Sequence, residues 1–259
     1  MKNSKLVILI TAVVFVFLIG PFVMIFLASF SSDAIMRFPP KGFTLDWYRK
    51  AFGVRMFRTT FWISLRIGAA ATASALLLGV PVAYANVRYR YPGKGVVELL
   101  FSSPAIVPGL IVGFALLRYF VYISNLPIVL GLYLGHTAIL LPYTVRVVSA
   151  SLRNFDADVE QAAVSLGSSP LHAFFAVVLP NIQGGLVAAF ILAFITSFND
   201  VPVSLFLTGP GVATLPIQML TYMEFYYDPT IPALSSIIIV FTVIIVQSAE
   251  KLLGISKYV

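Results

Sequence analysis

The chain has 259 residues, of which 59% are hydrophobic and 10% are charged. Soluble domains have about 45–50% apolar and about 25% charged residues, so this composition is that of a membrane protein. The absence of cysteine excludes disulfides, cysteine-ligated metals and thiol nucleophiles. Basic loops against anionic lipid headgroups account for the net charge of +7 without a nucleic-acid partner.

Six apolar stretches are predicted to cross the membrane as helices. Each has about 20 residues or more, which is enough to cross roughly 30 Å of hydrocarbon at about 1.5 Å per residue. In chain order, the predicted spans are residues 6–30, 59–87, 95–122, 127–148, 182–207 and 231–253. The sequence therefore predicts an all-α membrane protein in which residues 1–259 form a single transmembrane domain.

The first two spans and the segment between them have distinct compositions. The apolar run of the first span is too long for a cleaved signal peptide, so it is predicted to remain as a span. After it, Trp47, Tyr48 and Phe52 suit a short amphipathic helix at the membrane interface. The second span is rich in alanine, glycine and serine, which predicts close packing against neighbouring helices.

Six spans place both termini on the same side of the membrane. Lysine and arginine are slightly more numerous on the inner side if the chain starts in the cytoplasm, and residues 208–230 contain acids but no basic residue. We therefore expect both termini to be cytoplasmic.

A polar segment, residues 149–181, separates the fourth and fifth predicted spans. Asp156 or Asp158 can cap a helix that begins near Val159, because acids are favourable at the positive end of a helix. Gly167 can end that helix, since glycine readily takes the left-handed conformation. The sequence thus predicts a first short helix over this part of the segment.

A second short helix is predicted directly afterwards. Ser169 is a suitable N-cap and Pro170 fits the first helical position, while Pro180 would end the helix before the fifth span. A solvated loop without structure is the alternative, but two sets of capping signals argue against it. We expect a helix–turn–helix with a small-residue surface on which another protein can sit.

The segment E-Q-A-A-V-S-L-G, followed by L-P at Leu179 and Pro180, resembles the EAA signature of type I ABC importer permeases. Ala162, Ala163, Gly167 and Pro180 match that signature. The glutamate of the family pattern aligns with Gln161, and Glu160 stands one residue earlier. The segments F-T-L-D-W-Y, R-Y-R-Y-P-G-K and G-H-T…L-P-Y resemble the second permease of spermidine/putrescine-type importers.

This resemblance implies a non-catalytic permease subunit in a bacterial inner membrane. It implies two separate ATP-binding subunits, a second and related permease, and an extracytoplasmic substrate-binding protein. No phosphate-binding loop of the G-x-x-x-x-G-K-[ST] form occurs in the chain, so ATP hydrolysis is expected on another subunit, and no cofactor is expected here. The implied ATPase-docking residues are Glu160, Gln161, Ala162, Ala163, Gly167, Ser169, Pro170 and Pro180.

Asp200 is the one acid well inside a predicted span, with Asn199 beside it. A charge at mid-membrane costs about 2.5–3.5 kcal/mol on insertion scales, so such residues usually face a cavity or a partner. One hypothesis makes Asp200 and Asn199 substrate-pathway residues for a cationic amine such as spermidine or putrescine. The alternative pairs Asp200 with Arg66 or Arg118, or hydrates it near the interface. Aminoethylphosphonate, opines and ferric iron remain open as substrates.

Two further function classes are possible from the residues. An intramembrane enzyme would need a convergent set of groups, and only His172 accompanies the acids of the polar segment. A secondary carrier would usually show more spans or several buried titratable groups. His136 is the one histidine in a predicted span, and a packing or hydrogen-bonding role is favoured over metal binding.

Overall fold

The computed structural model describes residues 4–35 and 39–253. Eleven helices occur in these residues, and they are numbered here in chain order. Their bounds are α1 Ser4–Ser29, α2 Asp46–Gly53, α3 Arg55–Arg88, α4 Lys94–Ile106, α5 Gly109–Ile123, α6 Ile128–Asn154, α7 Ala157–Ser165, α8 Pro170–Asn181, α9 Gln183–Phe198, α10 Leu215–Phe225 and α11 Thr230–Leu253. The predicted all-α fold is therefore confirmed.

The number of membrane-crossing segments depends on two bends. Within the described residues, four helices are long and apolar enough to cross a membrane alone, namely α1, α3, α6 and α11. The helices α4 and α5 are bent by 102° at their junction, and α8 and α9 by 71°. Counting each bent pair as one span gives six, which agrees with the sequence prediction.

Two predicted spans differ from continuous helices over their full length. The third span, residues 95–122, is interrupted because Val107 and Pro108 take extended backbone between α4 and α5. The fifth span, residues 182–207, is helical only to Phe198, and a series of turns follows. The fourth span is longer than residues 127–148, since α6 continues to Asn154.

The chain separates into two compact units. The first comprises Met1–Thr59 and Gln218–Ile244, and the second comprises Thr60–Ile217 and Ile245–Val259.

In the first unit, α2 is attached through its aromatic side chains. The Trp47 indole donates a hydrogen bond to the Ser31 carbonyl at 2.7 Å. The Tyr48 hydroxyl is bonded to Ser29 at 2.7 Å and to Ser236 at 2.9 Å. The predicted short helix is present, and these two side chains fix it to the ends of α1 and α11.

In the second unit, α3, α6 and α9 pack through small residues. Ala71, Ala75 and Ala83 on α3 are fully buried. A side chain at Gly79 would collide with Thr144, whose hydroxyl donates to the Ala75 carbonyl at 3.1 Å. The close approach that the second span's composition predicted is confirmed.

The helices α6 and α9 form a hairpin joined at both ends. Near the α7–α8 segment, Gly185 lies so close to Ser151 that no larger residue fits there without movement. Near the other end, His136 on α6 is bonded to Ser197 on α9 at 2.7 Å. The helices α7 and α8 connect the ends of α6 and α9 in the chain.

Candidate functional site

The polar segment between α6 and α9 begins with a capped helix. Asp156 is the N-cap of α7, and its carboxylate accepts a hydrogen bond from the Asp158 amide at 2.9 Å. Asp158 and Glu160 lie in the first turn, where the helix dipole favours negative charge. Of the two predicted caps, Asp156 is correct, and the helix begins at Ala157, two residues before the predicted start.

The turn after α7 depends on glycine. Gly167 has a φ of +98°. The Ser168 amide donates to the Ala163 carbonyl at 3.1 Å, and the Gly167 amide donates to Val164 at 2.9 Å. This is a Schellman motif, which satisfies the last carbonyls of the helix and needs a left-handed residue at this position. The predicted role of Gly167 is confirmed.

The second helix, α8, is capped at its start and bent at its end. Ser169 is the N-cap and accepts a hydrogen bond from the His172 amide at 3.2 Å, with Pro170 in the first turn. Phe174–Val178 forms a π-helical turn within α8. Pro180 does not end the helix as predicted, because α8 continues to Asn181 before the 71° bend into α9.

The α7–α8 pair exposes apolar side chains at the turn. Leu166 is 90% exposed, and Leu171 and Phe175 on α8 are also exposed. Because exposing such groups to water is unfavourable, an apolar cluster on a polar segment indicates a protein-binding surface. The sequence prediction did not include Leu166 among the docking residues, and its exposure makes it a candidate for that surface.

The predicted docking residues fall into two groups. Seven of them are exposed or half-buried: Gln161, Ala162, Ala163, Gly167, Ser169, Pro170 and Pro180. Glu160 differs, because its side chain is only 12% exposed. It turns towards the end of α3, where it meets Tyr84 and Arg88.

A second polar cluster is buried beside α6 and α9. His136 Nδ1 is 2.7 Å from the Ser197 hydroxyl, and its Nε2 is 3.0 Å from the Ser204 hydroxyl. The Ser204 hydroxyl donates to Asp200 Oδ2 at 2.9 Å, so its oxygen is free to accept a hydrogen bond from His136 Nε2–H. His136 therefore has the hydrogen-bonding role that the sequence favoured.

Asp200 lies just beyond α9 rather than inside a helix. Asn199 is the exposed C-cap residue, and the Asp200 carboxylate accepts from the Ser204 amide at 2.8 Å. His136 Nε2 is 3.9 Å from Asp200 Oδ2. Among residues 4–35 and 39–253, no ion pair joins Asp200 to Arg66 or Arg118, the partners that the sequence left open. Asp200 is accommodated because it lies outside the helix and accepts hydrogen bonds from Ser204.

Two cavities lie beside the C-terminal half of α6. One has a volume of about 370 Å³ and is lined by Glu98, Arg146 and Arg153 among others. The other, of about 650 Å³, lies between the start of α7 and the bend at Ile182. Sequence reasoning did not identify either cavity, because both form between segments distant in the chain.

The first unit contains an ion pair between α2 and the residues that precede α11. Lys50 Nζ is 2.5 Å from Asp228 Oδ2. The hydrogen bond with Asp228 raises the pKa of Lys50 above its ordinary value, against the opposing effect of burial. Burial raises the pKa of Asp228, but hydrogen bonds from Lys50, Thr230 and Tyr222 outweigh it and hold that pKa below its ordinary value.

Comparison with known proteins places these features in a family. Residues 75–251 match the family described as "Binding-protein-dependent transport system inner membrane component". The chain is 31% identical over 232 residues to the putrescine transport system permease protein PotI of Escherichia coli K12, covering 87% of this chain and 82% of PotI. It is 27% identical over 239 residues to the spermidine/putrescine permease PotC of the same strain, covering 92% and 89% of the two chains.

Solved structures show the same fold. A chain of a bacterial ABC transporter involved in the import of the acidic polysaccharide alginate superimposes with a TM-score of 0.70. The match covers 96% of this chain and 97% of that one at 18% identity, so it concerns the fold alone. The family match extends over more than half of the sequence, and the similarity to PotI covers most of it. The chain therefore belongs to the inner-membrane components of binding-protein-dependent transport systems, the permeases of ABC importers.

Proposed function

We propose that this chain forms half of the translocation pathway of an ATP-driven importer for a polyamine such as putrescine or spermidine. The observation that carries the proposal is the similarity to PotI over 87% of the chain, a protein whose name gives putrescine as its substrate. The similarity to PotC, named for spermidine and putrescine, supports the same substrate class.

The α7–α8 pair is the docking site for an ATP-binding subunit in this proposal. Exposed Leu166, Leu171 and Phe175 supply the apolar contact, and the capped helix ends keep the pair rigid. The motif residues that contribute surface are Gln161, Ala162, Ala163, Gly167, Ser169, Pro170 and Pro180. Two ATP-binding subunits hydrolyse ATP, while this chain performs no chemistry and binds no cofactor.

Closure of the ATP-binding subunits displaces the α7–α8 pair in this mechanism. The movement passes into α6 and α9, which the Ser151–Gly185 contact and the His136–Ser197 hydrogen bond hold together. Rigid segments that rock about a fixed site can alternate access between the two membrane faces. The turn after Phe198 moves together with α9 in this mechanism.

Asp200 and Asn199 are the proposed substrate-pathway residues in that turn. Asn199 is exposed and Asp200 is half-buried. A carboxylate attracts a protonated amine, and Ser204 holds it in position through two hydrogen bonds. A polyamine thus meets a negative charge that Ser204 holds in position.

The remaining parts of the importer are a second, related permease and a substrate-binding protein outside the membrane. The family description names dependence on a binding protein, which supports the latter. A heterodimer of permeases would complete the pathway. Both termini are cytoplasmic in this arrangement, which puts the α7–α8 pair on the side where ATP is available.

Co-purification with the ATP-binding subunit tests the docking surface. Leu166→Asp is expected to lower the affinity for that subunit by about tenfold or more, because burying a leucine contributes about 1.5–3 kcal/mol. Leu166→Met keeps the apolar contact and serves as the control. Retention of the subunit at wild-type level by Leu166→Asp would sink the docking proposal, and absence of any ATPase with the native chain would sink the importer.

Uptake by proteoliposomes containing the complete importer tests the substrate class. Asp200→Asn is expected to raise KM for putrescine or spermidine about tenfold, since a hydrogen bond to a charged group contributes about 1.5–3 kcal/mol. Glu224→Gln, which removes an exposed acid on α10, is the matched control. Unchanged polyamine uptake removes Asp200 from the pathway, and uptake of aminoethylphosphonate, an opine or ferric iron instead overturns the substrate assignment.

A further inference from the structure

Both oxygens of the Glu160 carboxylate are bound within the chain. The Tyr84 hydroxyl donates to Oε1, and Arg88 Nε donates to Oε2 at 3.0 Å. The Glu160 and Arg88 side chains are only 12% and 14% exposed. The carboxylate is thus engaged within the chain and largely shielded from a partner protein.

Arg88 also holds the residue that connects α6 to α7. Its Nη2 donates to the Phe155 carbonyl at 3.3 Å, and the guanidinium lies 5.6 Å from the centre of the Phe155 ring. Phe155 is the C-cap of α6 and has extended backbone. The connection between α6 and α7 is therefore fixed by the same arginine that holds Glu160.

Tyr84 connects the same point to the second short helix. Its ring packs edge-on against Phe174 of α8, with ring centres 4.7 Å apart. Its hydroxyl is bonded to Glu160 of α7. One side chain thus contacts both short helices, and together with Arg88 it places α7, α8 and the connection at Phe155 on the last turns of α3.

We propose that Tyr84, Arg88 and Glu160 form an anchor that joins the α7–α8 pair to α3, with Glu160 as a positioning residue rather than a contact to the ATP-binding subunit. This inference rests on the proposed docking function of α7 and α8. It adds α3 to the helices that receive the movement, because α3 is itself bonded to α6 through Ser74 and Tyr133 at 2.6 Å.

The opposite charges of Arg88 and Glu160 make each of these residues depend on the other. Removing one member of a shielded ion pair leaves the other charge without compensation, which is more harmful than losing both. Single substitutions should therefore loosen α7 at least as strongly as the double substitution does. A glutamate that bound a partner protein would show no such dependence on Arg88.

The order of the α7–α8 pair can be measured without any ATP-binding subunit. The chain contains no cysteine, so a spin label on Leu166→Cys reports from a single position in the full-length protein in nanodiscs. Glu160→Ala and Arg88→Ala are expected to raise the mobility of the label. Asp158→Ala and Arg90→Ala, which remove neighbouring exposed charges of the same sign, are the matched controls and should leave it unchanged.

Coupling is measured as substrate transported per ATP hydrolysed in the complete importer. Each single alanine variant is expected to lower this ratio about five- to tenfold, and Glu160→Ala/Arg88→Ala is expected to lower it no further. Glu160→Gln, which keeps the size of the side chain, replaces the alanine variant if that variant does not assemble.

Additive losses in the double variant would overturn the anchor. So would unchanged label mobility in Glu160→Ala together with loss of the ATP-binding subunit from the purified complex, because that result assigns Glu160 to the partner contact. Failure of the proposed function looks different: the native chain would then retain no ATP-binding subunit, while the label experiment would still report on the anchor.

Discussion

At the scale of single residues, the α7–α8 pair depends on one backbone conformation. Gly167 closes the Schellman motif with a φ of +98°, and a side chain built there meets no atom within 4 Å. Space is therefore not what requires glycine at this position. Glycine is required by the left-handed backbone conformation, since that conformation costs other L-residues about 1–2 kcal/mol.

Gly167→Ala should accordingly weaken binding of the ATP-binding subunit by about five- to thirtyfold, the factor that corresponds to about 1–2 kcal/mol. Gly167→Asn should weaken it less, because asparagine tolerates the left-handed region better. Gly184→Ala is the control, since Gly184 also has open space around it and no positive φ. A titration of the complex measures all three, and equal losses for alanine and asparagine would contradict the conformational explanation.

Residue types in the sequence predicted the caps of this site but not the directions of its charged side chains. Asp156, Gly167 and Ser169 act locally, within a few residues of their hydrogen-bond partners, so their types and spacing were sufficient. Glu160 is bonded to Arg88 across a sequence separation of 72 residues. Such a pairing depends on how α3 packs, which no local pattern contains.

At the scale of elements, the ends of helices account for the differences from the sequence prediction. Hydropathy indicated six apolar stretches, and Pro108 in the third of them stands at the backbone break between α4 and α5. Hydropathy also continued the fifth span to residue 207, because the turns after Phe198 are nearly as apolar as α9. Asp200 consequently appeared to lie inside a helix, where it does not.

The attachment of α2 has a pH dependence that follows from its ion pair. Asp228 has a lowered pKa, so its contribution to stability is present above the unfolded-state value of about 3.9 and is lost as pH falls through the lower folded-state value. Lys50 has a raised pKa, so its contribution is present below about 10.4 and is lost as pH rises through the higher folded-state value. Across neutral pH the pair is intact.

Asp228→Asn should therefore destabilise the protein at pH 7 by up to about 1 kcal/mol, a small effect because Lys50 is partly exposed to solvent. The difference from the native chain should stay constant at neutral pH and shrink below a pH of about 4. Thermal unfolding in detergent at several pH values measures it. Asp46→Asn, which removes an exposed ion pair with Arg49 on the same helix, should have little effect. A difference that persists undiminished in acid would contradict the role of the ion pair.

At the scale of the whole molecule, the sequence predicted the fold class and the family, because each rests on composition or on local motifs. The sequence did not predict the two cavities beside α6 or the His136–Ser204–Asp200 cluster. Those features join residues that are distant in the chain, and a single sequence records no such contacts.

The orientation of the chain follows from the proposed docking surface and can be tested within the second unit. With 27 residues, α6 is about 40 Å long at about 1.5 Å per residue, enough to cross the bilayer. Ser124 precedes α6, Ser165 lies beyond it at the end of α7, and both are exposed. If the α7–α8 pair meets ATP-binding subunits, Ser165 is cytoplasmic and Ser124 is on the outer face.

Single cysteines at these positions make the expectation measurable, because the native chain has none. A membrane-impermeant maleimide should label Ser165→Cys only in inside-out vesicles stripped of peripheral subunits, and Ser124→Cys only in right-side-out vesicles. Ser197→Cys, at a buried position, should react with the same reagent only after the protein is denatured. The reverse labelling pattern would put the α7–α8 pair outside the cell, where no ATP-binding subunit could reach it, and the docking proposal would then be wrong whatever the substrate.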